Sequence, residues 1–270
     1  SIPNVMEELE FIRDEMPQVN EVFIEDDTFT IYKERVIEYC SEVRRRKLDK
    51  LPWSCNVRAN GVDYETLVAL KRAGCRMIIT GYESGSDVIL RNIVKGANVE
   101  QARRFTKEAK RAGLLIQGDF IIGLPGETKE TIRETRRFID ETRPNFLQVA
   151  VATPIPGTSF YQWAQANNAM VVDDLSAALD SSGFQRSIIS YDGLSAEEID
   201  ESVDQILKDY YLTPKYIPIA MSNVLRRNGL KEAHLIAKAA KPFMFKYLRR
   251  NKPPAFGSVP EEAQELDLVR

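Results

Sequence analysis

The feature that most constrains the fold of this chain is a regular alternation of helical patterns with short apolar runs. The helical patterns cover residues 3–16, 31–47, 63–73, 98–112 and 128–142. The apolar runs lie at 21–24, 51–57, 75–79, 114–122 and 146–152. Each run is nearly all apolar and rich in β-branched residues, which is typical of a parallel strand covered on both faces. Helices that alternate with such strands predict βαβ units and a single parallel sheet.

Residues at the ends of the helical patterns support the same boundaries. Gly74 and Gly113 each follow a basic helix and suit the left-handed conformation that commonly ends helices. Asp63 and Asn98 are predicted N-caps, because their side chains can accept hydrogen bonds from free backbone N–H groups. Ser195 begins a capping-box match and predicts one more helix near the end of the chain.

The composition is that of an ordinary globular protein. Of the 270 residues, 43% are apolar and 29% are charged. No apolar run of about 18 residues is present, so no membrane span is predicted, and no signal peptide is visible. We therefore expect a cytoplasmic protein. Since the chain lacks an initiating methionine and enters a helical pattern within three residues, we also expect it to be a fragment of something longer.

The cysteines do not predict a metal site or a disulfide framework. Cys40, Cys55 and Cys75 stand far apart without a C-x-x-C pair, and the sequence has one histidine. Buried thiols in a reducing compartment are the simplest interpretation. No metal ligand within these residues is predicted.

Polar residues gather where each predicted strand ends. The stretches that follow the five runs are Glu25–Thr28, Arg58–Asn60, Gly81–Ser86, Gly123–Glu127 and Thr153–Thr158. In parallel α/β proteins, ligands bind at the carboxyl ends of the strands. Glu83 and Asp26 both follow apolar runs, where an unpaired carboxylate is costly. The sequence therefore predicts a ligand site along this edge of the sheet.

The order of these motifs resembles a known family. VFIEDDTFT, WSCNVRAN, GYESGSDVIL, GDFIIGLPGET and PIPGTSFY follow one another within residues 1–165. In them the chain resembles the radical S-adenosylmethionine enzymes, especially the branch with a cobalamin-binding domain upstream. The resemblance implies an α/β fold, a partial (β/α)6 TIM-like barrel that here lacks its first strand, with a C-terminal helical appendage.

The resemblance also implies three cofactors. These are S-adenosylmethionine, a [4Fe-4S] cluster and, through a separate domain, cobalamin. In the family the cluster is held by a C-x-x-x-C-x-x-C loop after the first strand, and this sequence contains no such loop. We expect its ligands upstream of Ser1, so the chain alone is not expected to cleave S-adenosylmethionine.

Site residues follow from the same resemblance. Gly118, Ile121 and Gly123 are expected to contact adenine, since glycine lets a planar ring approach the backbone without a Cβ in the way. The alternative for this stretch is an ordinary tight turn from strand to helix. Either Asp26 or Asp27 is expected to face the methionyl ammonium, since a carboxylate suits a cation that donates hydrogen bonds. Only one of the two can do so, because neighbouring strand residues point to opposite faces. No catalytic residue is predicted.

Four further residues are assigned to the cofactor site. Glu83 and Ser84 are expected near the ribose hydroxyls. Lys95 is expected at the methionyl carboxylate, or else is a solvated lysine beside a helix. Arg58 is expected to bind a carboxylate or a phosphate, or else to pair with Asp26 across the mouth of the barrel.

The chain divides into three predicted regions: a barrel core at 1–160, a helical extension at 161–252 and a flexible tail at 253–270. Residues 226–252 carry nine basic side chains and one acid among regularly spaced apolar residues. This pattern predicts peripheral contact with an anionic membrane surface, or else a helix packed on the barrel with a solvated basic face. Nucleic-acid binding is not expected, because the rest of the chain is acidic.

The predicted function is 5′-deoxyadenosyl radical chemistry on a lipid-like or other small molecule such as a hopanoid, because the sequence looks similar to hopanoid-biosynthesis members of the cobalamin-linked branch. Two alternatives remain. A cluster-free barrel lyase would need a Schiff-base lysine or metal ligands at the strand ends, and no lysine ends a predicted strand. A non-catalytic module would use the barrel only to present the basic segment to a membrane.

Overall fold

The computed structural model describes residues 1–172, 174–181 and 183–224. These residues form a five-stranded sheet in the order β1-β2-β3-β4-β5, with every neighbouring pair parallel. The strands are β1 (Val22–Ile24), β2 (Trp53–Asn56), β3 (Cys75–Glu83), β4 (Leu115–Ile122) and β5 (Phe146–Val151). The α-helices in this part of the chain are α1 (Ile2–Glu15), α2 (Lys33–Arg45), α3 (Tyr64–Arg72), α4 (Asp87–Asn92), α5 (Val99–Ala112), α6 (Lys129–Thr142), α7 (Ser159–Ala166), α8 (Ala196–Tyr211) and α9 (Ile217–Val224). The predicted parallel α/β sheet is confirmed.

The predicted caps explain where the helices begin and end. Asn98 accepts a hydrogen bond from the backbone of Gln101, and the Gln101 side chain returns one to the Asn98 backbone. Ser195 makes the same reciprocal pair at the start of α8. Gly113 ends α5 at φ 83°, in the left-handed region. These local signals are therefore confirmed.

The prediction for β3 was wrong at its carboxyl end. The sequence placed the end of this strand at residue 79 and treated the next residues as loop, but the strand continues to Glu83. Thr80 and Tyr82 are buried, whereas Gly81 and Glu83 are partly exposed, so the two faces alternate. The strands were predicted from continuous apolar runs, and the end of β3 is not such a run because one of its faces is polar. The short helices α4 and α7 were not predicted either.

The outer face of β3 and β4 is covered by helices. Tyr82 on β3 contacts Phe120 on β4 and Phe138 on α6, with ring centroids 5.4 Å apart in both pairs. A Cβ on Gly118 would lie 2.9 Å from the Tyr82 ring and 3.2 Å from Pro144. Gly118 therefore lets the Tyr82 ring lie flat against β4.

A second aromatic cluster lies beside β2. Trp53 contacts Phe29 and Tyr39, with centroids 5.6 and 5.1 Å away, and its indole N–H donates to the Ala73 carbonyl at 2.8 Å.

The three cysteines are buried in this region of the core, which confirms the predicted burial of these side chains. Burial raises the pKa of the Cys40 thiol to about 12 and raises that of Cys75 as well.

The free edge of β5 is occupied by side chains from the C-terminal part of the chain. The Tyr211 hydroxyl accepts from the Leu147 N–H at 2.7 Å and donates to the Leu147 carbonyl at 2.8 Å. Further along the strand, Gln185 Oε1 accepts from the Val151 N–H at 3.2 Å. Three of the backbone groups that could pair with another strand are therefore already bonded.

Replacing Tyr211 by phenylalanine should lower the free energy of unfolding by about 1 to 2 kcal/mol, because both backbone groups of Leu147 lose their partner. Urea denaturation measures this change. Tyr161→Phe is the matched control, since that half-buried tyrosine hydroxyl accepts from the exposed Gln165 side chain at 3.2 Å. Equal stability of the two variants would show that the edge contact contributes nothing.

The described contacts divide the chain into two units, Ser1–Ile217 and Pro218–Arg270. Within the second unit the structure describes only residues 218–224, which belong to α9. The predicted basic segment 226–252 and tail 253–270 lie outside the described residues, and the boundary at residue 160 stays a prediction. No helix of the described part is both long and apolar enough to cross a bilayer.

Candidate functional site

An ion pair marks the candidate site at the carboxyl end of β3. Lys95 Nζ lies 2.7 Å from Glu83 Oε1, and the two side chains are only 26% and 19% exposed. Gly81 makes room for the pair, since a Cβ there would clash with Glu83 Oε1 and lie 3.3 Å from Lys95 Nζ. The structure thus brings together two predicted site residues. It also shows that Lys95 is not a fully solvated lysine.

The backbone beside both partners is strained. Glu83 has φ 64° and Val94, next to Lys95, has φ 54°. Residues with a Cβ rarely adopt this left-handed region, and a β-branched valine is an outlier there. Such conformations cost on the order of 1–3 kcal/mol and tend to occur at functional sites. The local geometry therefore points to a site in the same place as the ion pair.

The loop after β2 closes over this region from the neighbouring strand. The Arg58 guanidinium donates to the Lys95 carbonyl at 3.3 Å, and the Asn60 amide donates to the Gly96 carbonyl at 2.8 Å. The alternative prediction that Arg58 pairs with Asp26 was wrong. Arg58 instead helps to fix the backbone that carries Lys95.

Asp26 and Asp27 follow β1, and both side chains are exposed. Asp26 pairs with Arg35 at 3.4 Å, and its carbonyl accepts from the Asn56 amide at 3.0 Å. Which of the two carboxylates faces a ligand therefore stays open, as it was in the sequence.

Ser84 lies on the opposite side from Glu83. Its side chain is 2% exposed, its hydroxyl lies 3.1 Å from the Thr135 hydroxyl on α6, and it accepts from the Ser86 N–H at 3.1 Å. The structure does not bring this hydroxyl to the Glu83–Lys95 pair. A role for Ser84 at the ribose stays a prediction.

The turn after β4 contains the three residues assigned to adenine. Gly123 adopts φ 92°, and a Cβ there would lie 3.3 Å from Ile199 and 3.5 Å from Ile189. Like Gly118, it therefore permits close packing behind the strand, which is a different reason for glycine than the one inferred from sequence. Ile121 is half-buried and lies two residues beyond Asp119, the register partner of Gly81, so it offers apolar surface on the face toward which the Gly81 Cβ direction meets Glu83 and Lys95.

Glu127 supports this turn and was missed by the sequence analysis. It is 1% exposed, accepts from the Gly123 N–H at 3.3 Å and contacts the Thr131 hydroxyl. Burial raises its pKa to about 7, against the effect of these hydrogen bonds. From the other side, the Tyr191 hydroxyl donates to the Gly123 carbonyl at 2.7 Å. Both backbone groups of Gly123 are thus held by side chains.

Three polar side chains on β4 and β5 were also missed. Gln117 Nε2 donates to Asp119 Oδ1 at 3.1 Å and lies 3.4 Å from Gln148 Oε1. Burial is the main cause of a raised pKa at Asp119, and the negative charge of Glu83 adds to it. We call Gln117, Asp119 and Gln148 the inner polar row. Their i, i+2 spacing on β4 was the available signal, but they stood inside an otherwise apolar run.

The described residues contain no group of three or more histidine, cysteine or acidic side chains that could hold a metal ion. Cys55 on β2 is completely buried. Ligands for an iron–sulfur cluster are therefore not found in the described part of the chain.

Known proteins are similar to this chain in sequence and in fold. An uncharacterized methyltransferase of Pyrococcus horikoshii is 31% identical over 219 residues, which is 80% of this chain and 46% of that protein. The anaerobic magnesium-protoporphyrin IX monomethyl ester cyclase of Rubrivivax gelatinosus is 30% identical over 51% of this chain and 25% of its own length. The chain therefore spans less than half the length of these relatives.

Among solved structures, the radical S-adenosylmethionine methyltransferase TsrM from Kitasatospora setae, with cobalamin and a [4Fe-4S] cluster bound, has the same fold. The TM-score is 0.62 at 18% identity, over 80% of this chain and 46% of TsrM. The predicted α/β class with a partial barrel is thereby confirmed. The first 139 residues match the model of the radical SAM superfamily. The chain belongs to the radical SAM superfamily of enzymes.

Proposed function

We propose that this chain supplies the S-adenosylmethionine site of its enzyme around the Glu83–Lys95 pair. The observation that supports the proposal most directly is this half-buried pair at the carboxyl end of a parallel strand. S-adenosylmethionine carries a carboxylate, ribose hydroxyls and an apolar ring face. Lys95 suits the first, Glu83 the second and the half-buried Ile121 the third. The residues present therefore fit this cofactor.

Each side chain of the ion pair has hydrogen-bonding groups left over that can contact a ligand. An ammonium group has three N–H donors and a carboxylate has two acceptor oxygens. Among the described residues, Lys95 Nζ contacts only Glu83 Oε1, and Glu83 Oε2 has no hydrogen-bond partner. The ion pair can thus hold both side chains in place while each of them contacts the cofactor.

We propose that the cluster ligands lie outside the described residues, as the expected C-x-x-x-C-x-x-C loop would. When bound, such a cluster would supply the one electron that cleaves S-adenosylmethionine to methionine and a 5′-deoxyadenosyl radical. The residues of this chain bind and orient the cofactor and exclude water around it. Arg58 and Asn60 contribute by fixing the loop that carries Lys95.

Replacing Lys95 by methionine should weaken S-adenosylmethionine binding roughly 10- to 100-fold. Hydrogen bonds to charged groups contribute about 1.5–3 kcal/mol, which corresponds to this factor. The measurement is equilibrium dialysis with the full-length protein after anaerobic cluster reconstitution, together with 5′-deoxyadenosine formation after reduction.

Lys129→Met is the matched control, because that lysine forms an exposed ion pair with Glu198 on the outer helices. It should bind S-adenosylmethionine like the unmodified protein. Reconstituted protein that neither binds the cofactor nor forms 5′-deoxyadenosine would overturn the proposed function. Equal affinities of the two lysine variants would overturn the role of Lys95 alone.

We further propose that cobalamin takes part and that the reaction is a methyl transfer or a related change on a small molecule. Support comes from the fold shared with TsrM and from the methyltransferase and cyclase relatives. The cobalamin domain would lie outside this chain. A hopanoid substrate gains no support from these proteins, and peripheral membrane contact through 226–252 concerns residues outside the described part. The free buried thiols support work in a reducing compartment such as the cytoplasm.

The two alternatives from the sequence are not favoured. A cluster-free lyase and a non-catalytic module would both lack an S-adenosylmethionine site. The superfamily match covers residues 1–139, which include the candidate S-adenosylmethionine site at Glu83 and Lys95. Lys95 is also held by Glu83 rather than standing free for a Schiff base.

A further inference from the structure

We propose that the inner polar row of Gln117, Asp119 and Gln148 binds a hydroxyl-bearing part of the substrate. This inference rests on the proposed function, which places S-adenosylmethionine at Glu83 and Lys95. It adds a subsite and a chemical class of substrate, because the proposed function itself does not say what the substrate is.

The row and the ion pair share one face of the sheet. The Cβ direction of Gly118 is toward Tyr82 and Pro144, so its neighbours on β4, Gln117 and Asp119, point to the opposite face. The Cβ direction of Gly81 is toward Glu83 and Lys95. Since Gly81 is the register partner of Asp119, Asp119 faces the same side as the ion pair.

The row also begins directly beside the ion pair. Asp119 pairs in register with Gly81 on β3 and with Gln148 on β5. Neighbouring strands are about 4.8 Å apart. Asp119 on β4 therefore lies one strand away from β3, which carries Glu83, and Gln148 on β5 lies two strands away. A molecule lying against β4 and β5 would thus touch both the row and a cofactor held at Glu83.

The chemistry of the row favours hydroxyl groups. Asp119 offers a carboxylate acceptor, and each of the two glutamines offers both a donor and an acceptor. Gln148 is exposed, while Gln117 and Asp119 are half-buried. A purely hydrocarbon group placed here would cover the donors and acceptors that these side chains do not use among themselves, which is unfavourable. Neighbouring hydroxyls, which donate and accept side by side, satisfy all three side chains.

Charged substrate groups fit less well. An anion would meet the Asp119 carboxylate with no cation in the row. A cation would find a single carboxylate that already accepts from Gln117, and the nearby Glu83 is paired with Lys95. The row therefore suits a neutral polyol or sugar-like group better than either kind of ion.

Saturation-transfer NMR with ribitol tests this inference on the full-length, cluster-reconstituted protein. The protein is kept oxidised and saturated with S-adenosylmethionine, so that ribitol cannot report on the ribose subsite. Ribitol should receive transfer from the unmodified protein, and hexan-1-ol should receive much less. Asp119→Leu should lower the ribitol signal at least fivefold, while S-adenosylmethionine binding stays within twofold.

Two further variants make the result specific. Gln148→Leu changes an exposed side chain on the edge strand and should lower the ribitol signal without disturbing the fold. Asp140→Leu removes a carboxylate that is 69% exposed near the end of α6 and should leave the signal unchanged.

The possible outcomes distinguish a failure of the hydroxyl subsite from a failure of the proposed S-adenosylmethionine site. If S-adenosylmethionine binds but ribitol gives no signal, or the same signal with Asp119→Leu, the inner polar row is not a hydroxyl subsite. Stronger transfer to hexan-1-ol than to ribitol would also overturn the inference and favour an apolar substrate. If S-adenosylmethionine does not bind the unmodified protein, both the proposed function and this inference fail.

Discussion

Replacing Gly85 by alanine is expected to lower the free energy of unfolding by about 3 kcal/mol or more. A Cβ at this position would lie 2.6 Å from Phe138 Cβ, 2.7 Å from Thr135 Cα and 2.9 Å from the Glu134 carbonyl oxygen. Two of these three atoms belong to the backbone of α6, so no side-chain rotation can relieve the overlap. The helix would have to move away from β3, together with the buried contacts of Phe138.

Urea denaturation of the two proteins measures this effect, with Gly61→Ala as the control. Gly61 has φ 90° and no atom within 4 Å of a built Cβ. Its substitution should therefore cost only the left-handed backbone penalty, about 1–2 kcal/mol. If Gly85→Ala costs no more than Gly61→Ala, then α6 does not pack rigidly against this turn.

Glu127 should make the protein less stable as the pH rises from about 4.5 to about 7. Its pKa is about 7 in the folded protein, compared with an ordinary value of 4.5. Between these values the unfolded chain has released the proton while the folded protein still holds it. The unfolded state therefore binds fewer protons, and the free energy of unfolding falls with pH by about 3 kcal/mol across the window.

Glu127→Gln removes this group, so the difference between variant and unmodified protein isolates its contribution. In chemical denaturation at a series of pH values, the variant should gain about 3 kcal/mol relative to the unmodified protein between pH 4.5 and 7. Other titrating groups cancel in that difference. Glu197→Gln, which removes an exposed carboxyl on α8, is the control. A difference that stays flat with pH would mean that folding does not raise the pKa of the Glu127 carboxyl.

Much of the fold was accessible from sequence because local signals and tertiary structure agree. The apolar runs identify all five strands, and the caps at Asn98, Gly113 and Ser195 fix the ends of helices. The extension of β3 was not accessible in this way. At Gly81 and Glu83 one face of the strand is polar because it faces the candidate site, so the apolar criterion stops too early.

The site was predicted as a set of residues but not as an arrangement. Glu83 and Lys95 stand 12 residues apart, and their contact depends on α4, a six-residue helix too short to give a clear periodic pattern. Ser84 was assigned to the same site as its neighbour Glu83, whereas the structure turns its side chain toward α6. Adjacent residues at a strand end diverge, and sequence alone does not say which one faces the ligand.

The two edges of the sheet differ in how readily they can accept a further strand. Tyr211 and Gln185 cap hydrogen-bonding groups on that margin, whereas β1 is three residues long and, in the described part of the chain, pairs only with β2. The edge at β1 is therefore the better place for an additional strand to pair. A protein engineer who wishes to graft a complementing peptide onto this sheet should design it to pair with Val22–Ile24.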